Sequence, residues 1–427
     1  MTAQPKAPKG LGPMAKREMK LAYWMLLPTF AIVLAIVMGP LLANFWISFK
    51  PVQLGDLRPA SLITNERLRG DVENAGDTVA IEYRVRNSSR QDAIAGAGFT
   101  DTIPEGLTPT SIDERCIVEG RELTCRLGDI AGGFRDRIRI EATAQQSYLQ
   151  NALNPRDSRP VITGSADNVL TNFEFSLENF ERVFSSSEFW HVLRVSMYYT
   201  IFGTAGALVL GLFAAQLLNT KFAGRGLLRG LFLFPYVAPV IAVAFTWVVL
   251  LDPFSGTLNS ILQQIGIIGS PINFFGERAV TISFFGLQFD FPVALSTVIA
   301  FEAWRYFPLS FLFILARMQS ISTEMYEAAE IDGATPLQQL WYLSLPQLAG
   351  ILAVLFLLRF IWTFNKFDDI FLLTGGAAGT RTLTVDVYEQ AFAVSNLGAG
   401  AAVAVVVFIV LLTFSLLFFK FSPKDEA

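Results

Sequence analysis

Histidine, cysteine and charge are scarce in this chain of 427 residues. A single histidine, His191, stands at the edge of an apolar run. One imidazole gives poor support to a His-built metal site or proton relay, and no Ser/His/Asp or Cys/His set assembles around it. The two cysteines, Cys116 and Cys125, share one hydrophilic region and show no metal-ligand spacing. A phosphate loop of the form G-x-x-x-x-G-K-S/T is absent, so ATP is not bound by that route. Nothing here argues for an enzyme, a cofactor or a nucleic-acid partner. Charged residues make up only 16% of the chain, where a soluble domain carries about 25%.

What is abundant is apolar. Hydrophobic residues reach 52%, phenylalanine alone occurs 38 times, and the mean hydropathy is +0.44. That balance points to lipid as the solvent. Residues 21–49 form a first apolar run, interrupted by Pro28 and Pro40. A bilayer core takes about 20 such residues, so this run is long enough to stay as a span rather than leave as a signal peptide. Further spans are expected over 192–218, 231–251 (bent by Pro235 and Pro239), 292–314, 348–373 and 401–419. Lys6, Lys9, Lys16, Arg17 and Lys20 precede the first; Lys221, Arg225 and Arg229 sit between the second and third; Lys420 and Lys424 follow the last. Six spans with both termini in the cytoplasm place every short basic loop inside. The Gly and Ala content of 192–218 suits close helix packing.

Residues 51–179 leave the membrane, and lysine disappears from them. Val79-Ala80-Ile81-Glu82-Tyr83-Arg84-Val85-Arg86 alternates apolar and polar, and Ile138-Arg139-Ile140-Glu141-Ala142 does so more loosely. Short alternating strands between turn residues predict a small antiparallel β-sandwich. Cys116 and Cys125 flank a candidate hairpin, 117–124, turning at Gly120. They read as one disulfide on an oxidising side or as two reduced structural thiols. The expected organisation is a tail and first span over 1–50, an extracytoplasmic insertion over 51–179, and a membrane core over 180–427.

Two constellations carry functional expectation. Glu302 and Arg305 lie three apart in the fourth expected span, flanked by Trp304 and Tyr306, with Pro308 beyond. Ionisable groups in a span are costly and mark candidate sites; these two can share a helix face and pair with each other. An aromatic and polar cluster at mid-membrane suits a sugar, and an ion pair that only fixes helix packing is the other reading. Arg359, Asn365, Lys366, Asp368 and Asp369 crowd the fifth span and should line a wet cavity or a subunit interface. The second constellation is the polar loop 319–347. It reads as a short helix, a turn at Asp332-Gly333-Ala334 and a second short helix stopped by Pro346.

That loop resembles the coupling loop of ABC-importer membrane subunits, through Glu327-Ala328-Ala329, Gly333 and Leu343-Ser344-Leu345-Pro346. Lys221-Phe222-Ala223-Gly224-Arg225-Gly226, Phe234-Pro235 and Val237-Ala238-Pro239 resemble that family's second loop and third span. The run from Phe364 to Gly376 resembles the fifth-span signature of its sugar-type members, with Ala377 where a proline is usual, and 387–392 resembles the region after it. The chain is similar to carbohydrate-type ABC importer permeases of the maltose-transporter kind, which carry a large loop after the first span. Residues 71–144 resemble an immunoglobulin-like repeat of bacterial surface proteins, as a docking platform, a spacer or a lineage-specific insertion. The family implies a second permease subunit, two ATP-binding subunits, an extracytoplasmic solute-binding protein and a sugar or related solute. It implies Glu327, Ala328, Ala329, Asp332, Gly333, Leu345 and Pro346 as the contact that couples to the ATPase. Glu302, Trp304, Arg305, Tyr306, Asn365 and Asp368 are the expected solute path. Two rival readings are an ion-coupled secondary transporter using Glu302, Asp368 or Asp369, for which no inverted repeat is seen, and a membrane-anchored assembly protein acting through its inserted domain.

Overall fold

The computed structural model describes residues 12–90, 92–150, 158–284 and 287–421. Lys6, Lys9 and Lys424, part of the expected charge asymmetry, lie outside them. Contacts divide the chain into two units: residues 49–177 with 395–398, and the remainder.

The remainder is helical. Among the described residues, five helices are long and apolar enough to cross a membrane. They are Met14–Ser48 (α1), Ser187–Asn219 (α2), Val293–Met318 (α5), Pro336–Phe364 (α7) and Leu397–Phe421 (α9). Between α2 and α5 run Arg225–Val237 (α3) and Val240–Leu250 (α4), which meet at 92°. The break falls where proline forces it: Ala238 is extended at ψ 144° ahead of Pro239, as expected of a residue before proline. Beyond α4 come the short helix Thr257–Gln264 and a hairpin of Val280–Phe284 with Leu287–Phe291. Thr323–Ile331 (α6) precedes α7, and Asp368–Leu373 (α8) follows it.

Small residues set how closely the central helices approach. A Cβ on Gly203 of α2 would lie 2.8 Å from Glu302 Cγ of α5, and one on Gly211 would lie 2.6 Å from Ser310 Cβ. Neither contact is tolerable, so glycine at these positions is what lets the two backbones pack. Around that pair, Leu218, Phe311, Ile314 and Leu348 form one buried cluster, and Phe360, Phe364, Ala402 and Val403 another.

Two helix expectations need correcting. Pro346 does not stop a helix; it sits in the first turn of Leu345–Phe364, directly after a π-turn over Leu340–Ser344. The wider turn removes the demand for the proline's missing N–H, so the chain runs on as one long α7. Pro40 stands at the same offset from the π-turn Leu34–Met38 and is accommodated in the same way. The fifth span, expected unbroken over 348–373, ends at Phe364; Asn365 caps it with its side-chain amide on the Ile361 carbonyl (2.9 Å), and α8 starts again at Asp368.

The other unit is β-rich. Its strands are Leu62–Arg69 (β1), Thr78–Asn87 (β2), Ile94–Thr102 (β3), Leu107–Ser111 (β4), Cys116–Glu119 (β5), Glu122–Ile130 (β6), Arg135–Ala144 (β7) and Val161–Ser165 (β8). They form two four-stranded antiparallel sheets, ordered β1-β2-β7-β4 and β5-β6-β3-β8. The alternation in 79–86 buries Val79, Ile81, Tyr83 and Val85, which join Ile138 and Ile140 of β7 and Phe99 and Leu123 of the other sheet in one core. The Tyr83 hydroxyl donates to Asp101 at 2.8 Å inside that core; burial, reinforced by the carboxylate, pushes its pKa upward. At the edge Arg115 donates to Asp113 (2.9 Å) and to Asp136 (2.6 Å), and these bonds hold both carboxyls below the ordinary range.

Cys116 and Cys125 are directly opposite in the β5–β6 register and disulfide-bonded, with Gly120 at the turn at φ +66°. Protein denatured without reductant should therefore take up no alkylating reagent, and two equivalents after reduction. Two equivalents without reduction would show free thiols. Denaturation is needed because both residues are buried.

Candidate functional site

The loop 319–347 folds as a helical hairpin whose connection is made by local capping. Ser322 caps α6, its hydroxyl accepting from the Glu324 N–H at 3.3 Å. At the far end Gly333 adopts φ +82°. Its N–H bonds the Glu330 carbonyl (3.0 Å) and the Ala334 N–H bonds the Ala329 carbonyl (2.9 Å). This crossed pair is the Schellman arrangement, which calls for a left-handed residue, usually glycine, just past the helix. The spacing from Ala329 to Gly333 is thus set by hydrogen bonding. Thr335 then caps α7 in a reciprocal box with Gln338 (2.8 and 3.4 Å), and Pro336 occupies the first turn. Tyr326 and Ser344 join the two arms by a hydroxyl–hydroxyl bond of 2.8 Å.

The hairpin presents Glu327, Ala328, Asp332 and Gly333 to solvent, with Ala329 half-buried. Ile331 is 87% exposed and Tyr342 82%, and Leu337 and Trp341 are exposed too. Apolar side chains displayed beside capped helix ends form an exposed patch of the kind that meets a protein or a membrane. Leu345 and Pro346 lie past the hairpin, in the long helix.

The second site is a cluster of charges inside the helical unit. Glu302 and Arg305 do not pair with each other, contrary to the expectation from their spacing. Glu302 is fully buried and accepts from Arg359 of α7, from Thr363 (2.8 Å) and from the Tyr199 hydroxyl of α2 (2.9 Å). Arg305 instead donates to the carbonyls of Pro235 and Ala238, each at 3.2 Å. The reason is covalent. Pro239 has no N–H to give the carbonyl four residues earlier, that of Pro235, and the kink also frees Ala238. Arg305 satisfies both and so ties α5 to the break between α3 and α4.

Tyr306 lies beneath three cations: Arg359 at 4.3 Å, Lys366 at 4.5 Å and Arg305 at 5.6 Å from its ring. Its hydroxyl bonds Lys366. Asp369 is fully buried, 3.6 Å from Lys366 and 3.9 Å from Arg305. Arg359 and Asp369 therefore belong to the interior rather than to a wet cavity or an interface. Of the expected path residues, Glu302, Arg305 and Tyr306 are buried; Trp304, Asn365 and Asp368 keep accessible surface. Trp304 packs on Trp247 at 5.4 Å, and Asp368 lies 3.5 Å from the partly open Lys366. Tyr199 and Thr363 were not expected here: a lone hydroxyl in an apolar helix carries no pattern.

Residues 207–424 match the family described as binding-protein-dependent transport system inner membrane component. The chain is 35% identical over 272 residues to the inner membrane ABC transporter permease protein YcjO of Escherichia coli, covering 64% of this chain and 83% of that one. It is 34% identical over 246 residues to the trehalose/maltose transport system permease protein MalF of Thermococcus litoralis, covering 57% and 78%. In fold it is similar to a chain of a bacterial ABC transporter that imports the acidic polysaccharide alginate. That match has a TM-score of 0.50 at 19% identity, over 59% of this chain and 86% of the other.

Proposed function

Since the chain belongs to the family of binding-protein-dependent transport inner membrane components, and so is a multi-pass inner-membrane permease of the ABC importer type, we propose that it forms half of the translocation path for a saccharide or a related solute. In this reading α3 and α4 together make one broken span, giving six. Lys16, Arg17, Lys20, Arg225, Arg229 and Lys420 support a cytoplasmic side for both termini and the hairpin. The β-rich unit is then an extracytoplasmic β-sandwich inserted after the first span. A second permease subunit completes the path, two ATP-binding subunits drive it, and a solute-binding protein delivers the cargo.

The observation that carries the coupling role is the hairpin itself, two capped arms with Glu327, Ile331 and Gly333 at the exposed tip. ATP-driven closure of the partner subunits would move it as a rigid lever, because α7 continues from its second arm through the core to Asn365. Trp304, Asn365 and Asp368 supply a ring and polar groups for the solute. The ion-coupled alternative loses ground because Glu302 and Asp369 are already occupied by Arg359, Lys366 and Arg305.

Uptake of a labelled saccharide panel by the reconstituted complex, with its binding protein, tests the reading. Trp304→Ala and Asn365→Ala should each lower apparent affinity for the true substrate about tenfold, the effect of losing one contact worth about 1.4 kcal/mol, with assembly intact. Unchanged affinity in both would reassign these residues to packing.

A further inference from the structure

The outer face of the sheet β1-β2-β7-β4 carries more positive charge than its folding calls for. Side chains alternate along a strand, so with Tyr83, Val85, Ile138 and Ile140 in the core, Arg84 and Arg86 of β2 and Arg135 and Arg137 of β7 point outward. The register sets Arg84 opposite Arg137 and Arg86 opposite Arg135. Like charges directly opposite across a sheet are destabilising. Arg67 and Arg69 of β1 and Arg139 of β7 extend the same face.

Two outward carboxylates answer these seven. Glu82 lies 2.9 Å from Arg84 and 3.7 Å from Arg69, and Glu141 lies 3.6 Å from Arg139. Among the described residues, no carboxylate lies within 4.0 Å of Arg67, Arg86, Arg135 or Arg137. The face is also concave. A cleft of about 640 Å³ is bordered by Asn65 and the four opposed arginines, and an adjoining one of about 460 Å³ by Asn65, Arg67 and Arg84. The acids at their margins are committed elsewhere: Asp136 receives Arg115 at 2.6 Å, and Glu66 points inward, 8% exposed.

The geometry points to a binding site for an acidic saccharide, a linear chain of sugars bearing carboxylates. Every cation on the face is arginine, and residues 51–179 contain no lysine. The planar guanidinium fork matches carboxylates two bonds at a time, where an ammonium acts as a point charge. The two opposed pairs stand two residues apart, a step of about 7 Å along the strands, with about 5 Å between strands. A lone anion would satisfy one pair; two pairs at this step suit an anion that recurs along a chain. Asn65, shared by both clefts, offers an amide to the hydroxyls. The saccharide part of this inference rests on the sugar-importer reading, and the acidic part on the arginines alone.

The test is equilibrium binding to the full chain in zwitterionic nanodiscs, without ATPase or transport. Linear hexagalacturonate is the probe and maltohexaose the neutral control. Hexagalacturonate should bind at least tenfold more tightly, and Arg86→Gln/Arg135→Gln, the opposed pair with no carboxylate partner, should remove that preference. The same variant should unfold at no lower temperature than the parent, because it relieves a like-charge pair; a purely structural role for these arginines would lower it. Equal binding of the two oligosaccharides, or unchanged hexagalacturonate binding by the variant, would overturn the proposal. So would loss, in the variant, of binding to anionic vesicles or to the solute-binding protein when hexagalacturonate does not bind. Any of these leaves the importer reading standing, since that reading is judged by uptake.

Discussion

Replacing Gly333 with valine should cut ATP-driven uptake at least tenfold while leaving the protein inserted and folded. The residue sits at φ +82°, and no heavy atom lies within 4 Å of where a Cβ would stand. The penalty is therefore conformational and not a clash, on the order of 1–3 kcal/mol for a β-branched residue held at positive φ. The chain can avoid that cost only by giving up the left-handed turn, and with it the bonds from Gly333 to Glu330 and from Ala334 to Ala329. The angle between α6 and α7 then changes, and Ile331, Leu337 and Trp341 no longer present one surface. Gly333→Asn is the control: asparagine tolerates this region and should retain most of the uptake. The quantities to measure are uptake and ATP hydrolysis in proteoliposomes. Normal uptake by Gly333→Val would remove the hairpin from the coupling role.

The other large effect is expected at Glu302. Glu302→Gln keeps the size of the side chain and removes its charge, leaving Arg359, 1% exposed, without its counter-ion. Breaking a buried pair from one side costs about 3–5 kcal/mol, because the remaining charge stays desolvated. Tyr199 and Thr363 keep a partner in glutamine, so the measured loss isolates the ion pair. Thermal unfolding of the solubilised protein should show it. Glu302→Met/Arg359→Met should recover part of the stability, since it leaves no unpaired charge at this pair and fills similar volume but deprives the Tyr199 and Thr363 hydroxyls of their acceptor. If the single variant is as stable as the parent, the cluster does not hold α5 against α7.

The hairpin was legible because its causes are local. Gly333 acts on backbone groups within a few residues of itself, so a turn between two arms is read from it, while the caps at Ser322 and Thr335 emerged only with the structure. The strands 78–87 and 135–144 were legible for a similar reason, since alternation is the pattern of a half-buried strand. Pro346 was misread because a proline reads as a stop, and the π-turn that admits it has no signature of its own.

By itself the sequence determined that the chain is built largely of helices apolar enough to cross a membrane, and that a β-rich insertion and a helical hairpin interrupt them. Hydropathy, alternation and a turn glycine act over windows shorter than one element, and each is visible in a single stretch. Tertiary structure alone decided the pairing of the charges. Glu302 had Arg305 three residues away and bonded Arg359, 57 residues away, while Arg305 turned to carbonyls 70 and 67 residues back. In a dry interior a charge takes whichever partner best replaces water, and that partner is identified only once the helices are packed side by side.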